Sequence, residues 1–186
     1  MNEDPIQPGT LLIAPPAVQN NFWAKSVILI TEHHERGSLG LMLNRRSNLT
    51  TIEFSKQCGG VELDLGGNVY VGGPVNQKSF CMLHSNDWST SNTLKIDQRL
   101  SISSTPTLIE ELKDGNRPTF LRLFVGLCGW APDQLLSEYK GDPPFNHANS
   151  WLTFQSKYDI VFNYDGKEQW TQALERCGQE FAQNVL

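Results

Sequence analysis

The sequence predicts an α+β domain built on a mostly antiparallel, strongly bent sheet. Three observations lead there. Short apolar runs follow one another without the strict strand–helix alternation of a parallel fold. Helix signals are confined to three or four short segments. At the centre, Ser26–Arg45 holds two apolar runs around a polar, Gly-containing turn, the pattern of a β-hairpin.

A chain of 186 residues fits one domain, here residues 9–186, behind a flexible tail over residues 1–8 that carries Pro5 and Pro8. At this length about 70% of the unfolded surface is buried, so neither a metal nor a disulfide is needed for stability. The net charge of −5 opposes broad binding to nucleic acid or anionic membrane, which requires a basic surface. No apolar run is long enough for a transmembrane helix. Met1–Pro5 is acidic and lacks the features of a secretory leader, so a cytoplasmic protein is expected. Cys58, Cys81, Cys128 and Cys177 are widely spaced and fit reduced thiols.

Taken in order, Thr10–Ala14 reads as a first strand stopped by Pro15-Pro16. Asn20–Trp23 is a turn with two aromatic anchors, and the hairpin runs from Val27 to Asn44. Thr50 and Glu53 have the spacing of a capping box for a short helix ending at Cys58-Gly59-Gly60. Asn68–Val71 and Phe80–His84 are strands, with weaker candidates at Thr93–Ile96 and Leu100–Ser103. Thr105-Pro106 opens a helix that Gly115 stops, and Thr119–Val125 is strongly β-like. Pro132 opens a helix to Lys140, and Asp142–Ser150 is a loop. Trp151–Phe154 and Asp159–Phe162 read as strands. Asp165–Glu168 resembles a second capping box before a last helix whose buried stripe includes Trp170, Ala173, Leu174 and Cys177.

The common nucleotide signatures are absent. Gly37-Ser38-Leu39-Gly40 is not a nucleophile elbow, because its second glycine comes one residue early and it sits in a hairpin turn. His33 and His34 are adjacent, so on a strand they point to opposite faces, and His84 and His147 are isolated. No metal site and no cofactor is expected. Cys128, between glycines where a strand hands over to a helix, is the one tempting nucleophile, and a small buried hydrophobe under Trp130 is the favoured alternative.

Several segments together resemble the YqgE/AlgH family. They include Leu11-Leu12-Ile13-Ala14, Glu32-His33, Gly40-Leu41-x-Leu43-Asn44-Arg45 and Gly72-Gly73-Pro74-Val75. Leu83-His84, Gly126-x-x-Gly129-Trp130, Gln134-Leu135, Glu138, Trp151 and Trp170 continue the match in order. The resemblance implies a compact fold with a bifurcated, barrel-like sheet, and a regulatory label often given as transcriptional. Against the family pattern, this chain has Arg46 where a proline is usual and Cys128 where a small residue is usual. It also carries extra residues over Lys140–Ser150.

Strand arithmetic sorts the polar positions. A turn centred near Arg36 makes His33 face Leu39 and Asn44 face Ile28, about 13 Å apart along the hairpin. Asn44 therefore remains a site candidate and the histidine end does not. Gln134 and Glu138, four apart, lie on one row of a helix with Trp130 at its mouth. Gly72-Gly73-Pro74 either offers backbone amides to a ligand or is a tight structural turn. The resulting expectation is a non-catalytic regulatory or ligand-binding protein with a groove at Asn44, Gly73, Pro74, Trp130, Gln134 and Glu138. Its partner would be a small ligand or another protein. The alternatives are a hydrolase using His84 or Glu138 as base or Cys128 as nucleophile, and a DNA-binding regulator that the acidic balance opposes.

Overall fold

The computed structural model describes residues 5–104 and 106–185. In chain order the strands are β1 (Thr10–Ile13), β2 (Val27–His34), β3 (Gly37–Met42), β4 (Arg46–Thr50), β5 (Asn68–Val71), β6 (Val75–Ser85), β7 (Thr93–Lys95), β8 (Leu100–Ser103), β9 (Leu121–Trp130) and β10 (Leu152–Gln155). The helices are α1 (Thr51–Gly59), α2 (Leu108–Lys113), α3 (Gln134–Lys140), α4 (Tyr158–Phe162) and α5 (Gly166–Val185). The fold is α+β, with a curled and mostly antiparallel sheet. Its main path runs β10-β1-β2-β3-β9-β6-β8-β7, with β4 and β5 branching from it.

The branch point is β9. On one side it pairs with β6. On the other, β5 runs parallel along Phe124 and Val125, and β3 takes over antiparallel along Cys128–Trp130. Gly126 stands between the two, at φ +70°. A Cβ there would lie 2.5 Å from the Gly73 carbonyl oxygen, so backbone meets backbone where the sheet divides.

The hairpin pairs Ile28 with Met42 and His33 with Ser38. The register is one to two residues from the expected one: the turn centres between Glu35 and Arg36 rather than on Arg36, and a bulge between Ile30 and Glu32 adds the second residue. Leu11–Ile13 of β1 and Val27–Ile30 of β2 are continuously apolar because both of their faces are covered. Leu11, Ile13, Val27 and Leu29 pack toward Trp170 and Ala173 of α5. Leu12, Ile28 and Ile30 pack on the other face with Cys128, Trp130, Leu135 and Trp151. A third cluster gathers Phe54, Leu108, Ile109 and Leu112 of α1 and α2 against Val69, Met82 and Leu123.

Several expectations need correction. Asp159–Phe162 lies in α4, not in a strand. Arg46–Thr50, unassigned from sequence, is a strand edging β5. Helices number five among the described residues, and α5 is 20 residues long rather than short. The fraying expected over residues 1–8 does not reach Ile6, which is buried with Leu12 and Trp130. Residues 1–4 and the expected cap Thr105 lie outside the described residues. The capping box at Thr50 and Glu53 is fully formed, with both reciprocal bonds present. At the start of α5, by contrast, the Asp165 carboxylate pairs with Arg46 and accepts from the Tyr70 hydroxyl.

Candidate functional site

β9 ends at Trp130, and Ala131-Pro132-Asp133 turns the chain into α3. Gly141, at φ +71°, closes that helix by donating its N–H to the Ser137 carbonyl. Gln134 and Glu138 fall on one row, as their spacing requires. The Gln134 side chain accepts from the Ala131 N–H at 3.0 Å and donates to Glu138 Oε1 at 2.9 Å. Glu138 Oε2 accepts two indole N–H groups, from Trp130 at 3.1 Å and from Trp151 at 2.8 Å. Trp151 comes from the loop that leads into β10. Trp23 completes the group, stacked on Trp130 at 6.4 Å between ring centroids and edge-on to Trp151 at 6.1 Å.

Beside this arrangement opens a cleft of about 270 Å³. Trp23, Trp151, Phe145 and Glu138 form its chemically distinctive walls, and Ala17, Val18 and three amide side chains complete it. Glu138 is the one titratable side chain in that lining. Its three donors are uncharged, so they hold the carboxylate in place without neutralising it. Phe145 stands at the rim, 37% exposed.

The structure thus brings Trp130, Gln134 and Glu138 together and sets the other groove candidates elsewhere. Asn44 is buried, with Oδ1 accepting from the Val27 N–H at 3.1 Å. Its amide donates to the carbonyls of Lys25 at 2.8 Å and Gly166 at 2.9 Å. All of its bonds tie β2 to the start of α5. A Cβ on Gly73 would lie 2.2 Å from the Leu127 carbonyl carbon, which explains the glycine by close backbone approach. The neighbouring Gly72 carbonyl accepts from the Met42 N–H at 2.8 Å. Of the six expected groove residues only Glu138 lines the cleft; Trp130 and Gln134 hold its carboxylate from outside the lining, and Asn44, Gly73 and Pro74 lie outside it as well.

His84 and Cys128 are also buried, apart from the cleft and from each other. His84 Nδ1 lies 2.8 Å from the Ser85 carbonyl, so it must carry the proton, and Nε2 then accepts from the Ser103 hydroxyl at 2.8 Å. Burial pushes the imidazole pKa down, against the Ser85 bond and the charge of Asp87. Cys128 lies within β9, not at a helix start, and its thiol donates to the Gly72 carbonyl at 3.3 Å. Burial pushes that thiol up to about 12, leaving no thiolate at neutral pH.

Sequence reasoning missed the roles of Trp23, Trp151 and Phe145 in the cleft, because they meet only through the fold. It also missed Arg122. This nearly buried guanidinium donates to the carbonyls of Leu43, Phe162 and Tyr164 and lies 4.7 Å over the Tyr70 ring. Burial lowers its pKa, and its donors are committed to these carbonyls and to the Gln169 side chain, so it is a cross-link under α4 and α5. No helix among the described residues is long and apolar enough to cross a membrane.

Comparison with known proteins agrees with this architecture. The sequence pattern of a family described as AlgH-like matches residues 11–182. A UPF0301 protein of Shewanella woodyi is 31% identical, over 90% of this chain and 89% of that protein. Another from Rhodopseudomonas palustris is 32% identical, over 92% of this chain and 81% of its own length. The solution structure of the AlgH protein from Pseudomonas aeruginosa superposes with a TM-score of 0.74 at 27% identity, covering 96% of this chain and 93% of that one. A crystal structure of a Corynebacterium diphtheriae protein gives 0.73 at 26% identity, covering 95% and 90%. With the shared sheet and the matched motifs, these place the chain in the YqgE/AlgH family.

Proposed function

We propose that this protein is a non-catalytic, cytoplasmic regulator that binds a small molecule in the cleft beside Glu138. One observation carries the reading. A carboxylate fixed by two indoles and an amide faces an aromatic-walled opening that contains no second titratable group. General acid–base or nucleophilic chemistry needs a base and a nucleophile within reach of each other. Here His84 and Cys128 are each committed to buried hydrogen bonds elsewhere. A concave apolar wall with a few fixed polar groups is instead the ordinary form of a ligand site. Glu138 would line it, with Trp130 and Gln134 fixing the carboxylate from behind, while Asn44, Gly73 and Pro74 hold the scaffold. Four free cysteines fit a reducing compartment, and the net charge of −5 favours regulation through a ligand over regulation through DNA.

The test is heteronuclear NMR of the indole N–H groups during a screen with small charged and neutral fragments. Hits should shift the Trp23 and Trp151 signals together. Fragments that bind and perturb only signals outside the cleft would overturn the proposal.

A further inference from the structure

The cleft beside Glu138 differs from a generic apolar pocket in its electrostatics, and that difference selects a ligand class. We infer that it takes an organic cation, a small molecule ending in a quaternary ammonium or guanidinium group. The inference rests on the proposed reading of the cleft as a ligand site.

Three features point the same way. The Glu138 carboxylate receives only uncharged donors, so its negative charge is held in position and left for a ligand to balance. An anion entering the cleft would meet that charge with no basic side chain in the lining to offset it. Three of the lining residues present rings: Trp23, Trp151 and Phe145. Aromatic faces carry negative electrostatic potential and attract cations, tryptophan most strongly. The indole of Trp151 spends its N–H on Glu138, which polarises electron density toward the ring that lines the opening.

The cleft's size narrows the class further. At about 270 Å³ it lies just below the usual small-molecule range of roughly 300–1,000 Å³, so it suits a head group with a short tail. Gln19, Asn21 and Asn149 supply amide oxygens at the margin. Such oxygens can accept from a guanidinium, or from a hydroxyl carried by an ammonium.

The experiment compares choline, guanidinium and the neutral carbon isostere of choline, in which a tert-butyl group replaces trimethylammonium. Acetate serves as the anionic control. Binding is read from tryptophan fluorescence and from the indole N–H signals of Trp23 and Trp151. At least one cation should bind about tenfold tighter than the neutral isostere, because the two differ mainly in charge. Glu138→Gln should erase that preference while leaving the indole signals dispersed. Should Glu138→Gln not fold, Phe145→Ala at the exposed rim should weaken cation binding about threefold.

Binding of both choline and guanidinium no tighter than the neutral isostere, or stronger binding of acetate, would overturn the cation inference and leave the ligand cleft standing. If neither these probes nor the fragment set shifts the Trp23 and Trp151 signals, both readings fall.

Discussion

Trp151 and Glu138, 13 residues apart in sequence, are joined by an indole-to-carboxylate hydrogen bond of 2.8 Å. That bond anchors the loop before β10 to α3, across the segment Lys140–Ser150. The carboxylate is therefore a structural acceptor as well as the polar wall of the cleft.

Removing it should cost stability. Glu138→Ala leaves two indole N–H groups without their acceptor, and a loss of about 2–4 kcal/mol is expected from urea unfolding. Glu138→Gln keeps an acceptor oxygen and should lose about half as much. A wild-type midpoint for Glu138→Ala would show that water replaces the carboxylate at no cost.

Asn44 should behave as a staple between β2 and α5. Asn44→Leu strands the Val27 N–H and the carbonyls of Lys25 and Gly166, three backbone groups at a buried position. The expected cost is about 3 kcal/mol. Hydrogen exchange provides the local readout: the Val27 amide should exchange much faster than in wild type. Unchanged protection there would contradict the assignment.

His84 sets a pH dependence whose sign follows from its burial. The folded imidazole has its pKa below the ordinary value near 6.5, chiefly through desolvation. As pH falls through about 6.5 the unfolded chain takes up a proton that the folded chain refuses. The stabilisation is complete above that pH and declines as pH falls from there toward the folded value. Asp87 is lowered by hydrogen bonds from Ser85 and Thr119, and its contribution is lost in a separate, more acidic window, below about 4. The urea midpoint should therefore drop between pH 7 and about 5.5, and His84→Gln should flatten that interval. An equally steep slope in the variant would assign the effect to other groups.

The thiols should separate by accessibility. Cys58 is exposed, whereas Cys81 and Cys128 have thiols pushed up to about 12 by burial. With an alkylating reagent near pH 8, mass spectrometry should find Cys58 modified first. Cys128 should be modified only in denaturant, and half-buried Cys81 more slowly than Cys58. Fast labelling of native Cys128 would restore its candidacy as a nucleophile.

What the sequence reveals divides along the range of each interaction. The capping box at Thr50 and Glu53 and the row of Gln134 and Glu138 are legible because their partners lie three and four residues away. The continuous apolar runs of β1 and β2 likewise announce strands. Asp159–Phe162 misleads because a short run containing Ile160, Val161 and Phe162 fits strand and helix alike, and packing under α5 decides. Arg46–Thr50 is polar because it borders the sheet at its branch, so no apolar alternation marks it. The hairpin register hides a bulge that no turn residue signals. Within the cleft, Glu138 can be found from its helix row. Trp23 comes from the turn before β2 and Phe145 and Trp151 from the connection between α3 and β10, and only the closed fold brings the two segments together.

The pairing of β1 with β10 carries a kinetic consequence. Thr10 opposes Gln155, so the first strand waits for a partner from within the last fifth of the chain. During synthesis, β1 and β2 can pair early, but the outer edge of β1 stays open until β10 leaves the ribosome. β3 similarly waits for the end of β9. Closing such distant pairings is slow compared with local hairpin formation. The nascent chain thus spends its longest interval with two unpaired edges beside its most apolar strands. That interval, more than the finished molecule, is where chaperone dependence and aggregation should concentrate.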